Sequence, residues 1–149
     1  MANRLKIFMG SIISEEQSGF LLGRSIFEGV VVAHEAGHSV RSSKSQNMMV
    51  KLDIKRAYDE VDRGFLICVL RKFGFEQEWL QWVESCLFTL RFSVLVNGSP
   101  QGFFEQEKGI RQGDPLSPFL FIIMAEVLGR LILKQKALGL WKGIRITKQ

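Results

Sequence analysis

With 149 residues, 46% of them hydrophobic and 23% charged, the chain is long enough to bury a core and too apolar to be a disordered one. Its net charge of +5 suits a polyanionic partner, but residues 130–149 hold six lysines and arginines and no acid, so residues 1–129 sum to −1. Two cysteines, Cys68 and Cys86, exclude a disulfide framework and read as reduced core residues. The start lacks a signal peptide and the most apolar run, Phe119 to Ala125, is too short to cross a bilayer; an intracellular protein of nucleus or cytoplasm, with no membrane contact, is expected.

In chain order, residues 3–13 carry a weak helical pattern with Leu5, Ile7, Phe8, Ile12 and Ile13 as expected buried positions, and Ser14 to Gly19 breaks it. Ser25 reads as the N-cap of a helix to about His38, with Glu28 at its third position. That helix contains His34-Glu35-Ala36-Gly37-His38, a match to HExxH, in which two histidines one turn apart bind zinc and the glutamate activates a water. A peptidase is therefore the alternative function. Against it, a third ligand is needed, and neither Glu60 nor Glu76 stands in a ligand motif.

Met48, Met49, Val50, Leu52 and Ile54 predict a short buried strand that runs into Lys51-Leu52-Asp53-Ile54-Lys55-Arg56-Ala57-Tyr58-Asp59. A carboxylate at a strand end is held rigidly yet reaches solvent, so Asp53 is a candidate ligand of a hard divalent cation; Asp53 and Asp59 also read as helix caps or partners of Lys51, Lys55 and Arg56. Asp62 predicts the cap of a helix ending at Gly74, and a second helix is expected over 76–89. Strands flanking Asn97-Gly98 predict a hairpin over 91–107. Then comes Gly109-Ile110-Arg111-Gln112-Gly113-Asp114-Pro115-Leu116-Ser117-Pro118, a loop with glycines for close approach, donors on Arg111 and Gln112, Asp114 as a turn residue, and the start of a helix from Pro118 to about Leu138, buried through Met124.

Taken together these stretches resemble reverse transcriptases, specifically those of non-LTR (LINE-type) retrotransposons of the kind abundant in plants. Leu52 to Asp59 is similar to the first catalytic block, Gly109 to Pro118 to the block after the hairpin, and Gln17-Ser18-Gly19-Phe20 with Gly23-Arg24 to the fingers block that precedes both. The resemblance implies an RNA-directed DNA polymerase acting on an RNA template, a DNA primer and deoxynucleoside triphosphates. It implies that Asp53 binds two Mg2+ ions, with Mn2+ as a substitute, and that the Ile54 carbonyl completes one coordination sphere. Tyr58 would lie under the incoming sugar, Gln112 and Gly113 against the nucleotide, and Arg24 or Arg111 near its phosphates. Apart from the resemblance, the C-terminal charge makes Lys134, Lys136, Lys142 and Arg145 either nucleic-acid contacts or a solvated helix face and tail.

The same resemblance implies a mixed α/β (α+β) fold, partial polymerase fingers over about 1–47 and palm over about 48–149, with a small sheet and a β-hairpin covered by helices. The family's paired Asp-Asp hairpin is not matched here, since no acid follows Glu126. A single carboxylate leads to the expectation that the chain by itself is inactive and needs the remainder of the polymerase domain. A non-catalytic nucleic-acid-binding remnant is the third reading.

Overall fold

The computed structural model describes residues 1–43 and 47–144. Among them the elements are α1 (Ala2–Ile12), α2 (Ile26–Ser42), α3 (Arg63–Lys72), α4 (Gln77–Phe88), β1 (Arg91–Val96), β2 (Ser99–Glu105) and α5 (Ser117–Ala137). This is the mixed α/β class expected, with a single two-stranded antiparallel sheet among the described residues. The chain divides into two compact units, Met1–Ile54 with Ala125–Gln149, and Lys55–Met124.

In the first unit α1 buries Leu5 and Met9, and Ile13 just after it is also buried, while Ile7 and Phe8, expected inside, are exposed. Apolar residues outnumber the positions on one stripe, and the i, i+4, i+8 set is the one that is buried. The carbonyl end of α1 is closed by cations. Arg130 donates to the carbonyl of Ile12 at 2.9 Å, an acceptor that the helix leaves open, and Arg24 donates to the carbonyls of Ile13, Ser14 and Gln17 in the segment that follows. Buried Glu126 accepts from Arg130 Nε at 3.1 Å and from Ser14 Oγ at 2.9 Å.

Helix α2 starts at the expected Ser25 cap, whose Oγ accepts from the Phe27 N–H at 3.2 Å, and it runs past His38 to Ser42. None of its residues is buried. The strand expected over 48–54 is not formed: residues 47–54 have no regular structure, and Met48 and Leu52 are 80% and 70% exposed. A strand needs a neighbour for its N–H and C=O groups, and the only pairing among the described residues is within the hairpin β1–β2.

The second unit follows its local signals closely. Asp62 caps α3, with Oδ1 accepting from the Phe65 N–H at 2.6 Å. Gly74, at φ 88°, ends that helix as a Schellman motif, with Gly74 N–H on the Arg71 carbonyl at 3.1 Å and Phe75 N–H on that of Leu70 at 3.3 Å. Leu66 and Leu70 of α3 and Leu80 and Val83 of α4 are fully buried, each worth about 2 kcal/mol of burial. Cys68 and Cys86, expected in the core, are exposed. At about 100° per residue Cys68 lies roughly opposite the Leu66–Leu70 stripe, and Cys86 falls off the stripe of Leu80, Val83 and Leu87.

The hairpin turns on Asn97 and Gly98, both at positive φ (51° and 79°), as the dipeptide predicts. Gly102, at φ 58°, is the extra residue of a bulge opposite Ser93 and Val94, and Phe92 and Phe104 stack across the strands at 5.8 Å. Apart from Phe92 and Ser93, which are half-buried, the residues of both strands are exposed.

Candidate functional site

The second unit joins a turn and a loop that lie far apart in sequence. Residues 55–60 coil through successive turns, with the N–H groups of Asp59 and Glu60 on the Arg56 carbonyl at 2.9 and 3.0 Å. The loop docks on this turn through Gly109 N–H to the Val61 carbonyl at 2.8 Å and Ile110 N–H to the Tyr58 carbonyl at 2.9 Å. Gly109, at φ 87°, is required there. A Cβ would stand 2.7 Å from the Asp59 carbonyl oxygen and 2.8 Å from that of Tyr58.

Arg63 clamps the same loop. Its Nε donates to the Gly109 carbonyl at 2.8 Å and its Nη1 to that of Gln106 at 2.7 Å, and its guanidinium carbon lies 5.7 Å from the centre of the Phe88 ring. The residue is 5% exposed and Nη2 has no hydrogen-bond partner, so burial lowers its pKa. At the surface, Lys108 pairs with Glu60, and its hydrogen bond and charge hold that carboxyl below the usual range.

The docked segments open a groove of about 480 Å³ lined by Tyr58, Gln112, Gly113, Asp114, Pro115, Ser117 and Pro118. Tyr58 is fixed by stacking on Phe121 of α5 at 5.2 Å. Gln112 Nε2 donates to Asp59 Oδ1 at 3.1 Å, and Gly113, at φ 84°, has open space where a side chain would be. Asp114 takes the turn role, with Oδ1 accepting from the Leu116 N–H at 2.7 Å. Arg111 lines two neighbouring grooves, one with Phe92, Phe104 and Asp59, the other with Cys86 and Leu116.

Three of the expected nucleotide residues, Tyr58, Gln112 and Gly113, are thus brought together. Asp53, Ile54 and Arg24 belong to the other unit. Asp53 is exposed on the irregular segment, and the guanidinium of Arg24 is engaged by three carbonyls. His34, Glu35 and His38 are exposed on α2, and no group of three or more His, Cys, Asp or Glu side chains gathers among the described residues. Lys134, Lys136 and Lys142 are exposed; Arg145 lies outside the described residues. Sequence reading missed Arg63, Phe121 and the Asp59–Gln112 bond. A charged residue carries no burial signal, and bonds between distant segments leave no local pattern.

Residues 1–146 match the family model described as reverse transcriptase (RNA-dependent DNA polymerase). A Xenopus laevis transposon TX1 protein, an uncharacterized 149 kDa chain, is 28% identical over 89% of this chain and 11% of its own length. An uncharacterized mitochondrial protein of Arabidopsis thaliana is 47% identical over 42% of this chain and 49% of its own. The Pol polyprotein of the type-1 retrotransposable element R2 of Popillia japonica is 32% identical over 56% of this chain and 14% of its own. The chain therefore spans half or less of each of these relatives, none of which supports the peptidase alternative. The chain belongs to the reverse transcriptase (RNA-dependent DNA polymerase) family.

Proposed function

We propose that the chain supplies the nucleotide-facing wall of an RNA-directed DNA polymerase that extends a DNA primer on an RNA template. The observation that carries this reading is the convergence of Tyr58 with Gln112 and Gly113 on one groove. The Tyr58 ring, held by Phe121, has the bulk to crowd a ribose 2′-hydroxyl and favour deoxynucleotides. Gln112 supplies an amide, and the bare backbone at Gly113 leaves room for a nucleotide to approach. In this reading residues to about 47 belong to fingers and 48–149 to palm.

Reverse transcriptases generally use divalent metal ions. The residues described here do not make a site for two Mg2+ ions. Hard cations take six or more oxygen ligands, whereas Asp53 stands as an exposed carboxylate outside any cluster of three acidic, histidine or cysteine side chains. Asp53 and the Ile54 carbonyl are proposed as this chain's share of such a site.

Calorimetric titration of the chain with a deoxynucleoside triphosphate and with its ribonucleotide counterpart tests the groove. Preference for the deoxy form, lost in Tyr58→Ala through gained ribonucleotide binding, supports the reading. Equal binding of both forms, unchanged by Tyr58→Ala and Gln112→Ala, refutes it.

A further inference from the structure

We infer that Asp59 is a positioning residue that sets the direction in which the Gln112 amide meets the nucleotide groove; the inference rests on the reading of that groove given above. Gln112 lines both the groove it shares with Tyr58 and Gly113 and a second one that Asp59 lines with Phe92 and Phe104, and Asp59 lines only the second. The contact is Gln112 Nε2 to Asp59 Oδ1 at 3.1 Å.

A glutamine amide can turn its oxygen and nitrogen ends about, but an ionised carboxylate only accepts hydrogen bonds. The NH2 end must therefore face Asp59, which leaves Oε1 and the second N–H as the amide's free acceptor and donor. Asp59 is itself anchored. Its N–H bonds the Arg56 carbonyl at 2.9 Å, and Tyr58, just before it, and Val61, two residues after it, accept the two backbone bonds from the loop. The carboxylate and the amide thus sit on segments pinned to one another, and Arg63 holds the loop carbonyls of Gln106 and Gly109. Asp59 does not line the Tyr58–Gly113 groove, so it acts on a nucleotide only through Gln112.

The test has two readouts. The first needs no ligand: the Gln112 side-chain NH2 resonances, assigned by their loss in Gln112→Ala, move in Asp59→Ala and return towards their original positions in Asp59→Asn, whose oxygen still accepts. The second is binding of deoxyguanosine triphosphate by calorimetry. Asp59→Ala weakens it roughly fivefold, the worth of one such hydrogen bond, Asp59→Asn restores most of that loss, and Asp59→Ala adds nothing in a Gln112→Ala background. Unmoved Gln112 resonances in Asp59→Ala, with an unchanged melting temperature, overturn the inference whatever the nucleotide does. So does an equal loss of affinity with and without Gln112. Moved resonances with binding indifferent to Tyr58 and Gln112 alike support the positioning role and refute the groove's assignment to nucleotide instead.

Discussion

Gly109 and Gly113 flank the same short run, share nearly the same backbone geometry at φ 87° and 84°, and differ in what surrounds them. Alanine at either position must hold a left-handed conformation, a strain of about 1 kcal/mol. At Gly113 a Cβ meets nothing within 4 Å, so the strain is the whole cost. At Gly109 it meets the Asp59 and Tyr58 carbonyl oxygens at 2.7 and 2.8 Å, both backbone atoms that cannot rotate away. The loop must lift, and the bonds Gly109 N–H to Val61 and Ile110 N–H to Tyr58 go with it, at about 1 kcal/mol each. Gly109→Ala should therefore cost about 3 kcal/mol against about 1 kcal/mol for Gly113→Ala. Urea unfolding followed by far-UV circular dichroism measures both. Equal losses would show that the loop and the turn do not pack as closely as the argument requires.

The Glu60 carboxyl, held low by Lys108, stabilises the fold above the ordinary carboxylate pKa, and that contribution is lost as pH falls through its lowered folded value. Lys108→Ala should flatten this part of the stability profile on the acid side, and NMR titration should show the Glu60 pKa rising. Weak RNA binding by the chain should fall steeply with added salt, and replacing Lys134, Lys136 and Lys142 together should reduce the salt slope measured by filter binding. When the chain is joined to a carboxylate-bearing remainder of the polymerase domain, Asp53→Asn should lower primer extension by orders of magnitude and leave the melting temperature unchanged, because Asp53 is exposed and outside regular structure.

What was legible in the sequence was short in range. The Asp62 cap, the Gly74 stop and the Asn97-Gly98 turn each depend on a few adjacent residues, and each is found where the residues predict it. The grouping of Tyr58 with Gln112 and Gly113 was legible only through resemblance to a family, since no local pattern links them. Met48 to Ile54 fails as a strand for the complementary reason: alternation and apolarity favour an extended chain, but pairing needs a partner that no local window contains. Arg63 was invisible because its burial depends on two carbonyls from a loop more than forty residues away. Asp59 was read against its neighbours in sequence, whereas its side-chain partner is Gln112.

The central claim, that Tyr58, Gln112 and Gly113 form the wall that meets an incoming nucleotide, is tested most directly by photocrosslinking. A deoxynucleoside triphosphate with a photoreactive base is irradiated with the chain, and the labelled peptides are mapped by mass spectrometry. The account predicts labelling within residues 56–63 and 109–118, competed by unmodified deoxynucleotide and reduced by Gln112→Ala. Labelling confined to α2 around His34–His38, or to the lysines from Lys134 to Lys142, would contradict it.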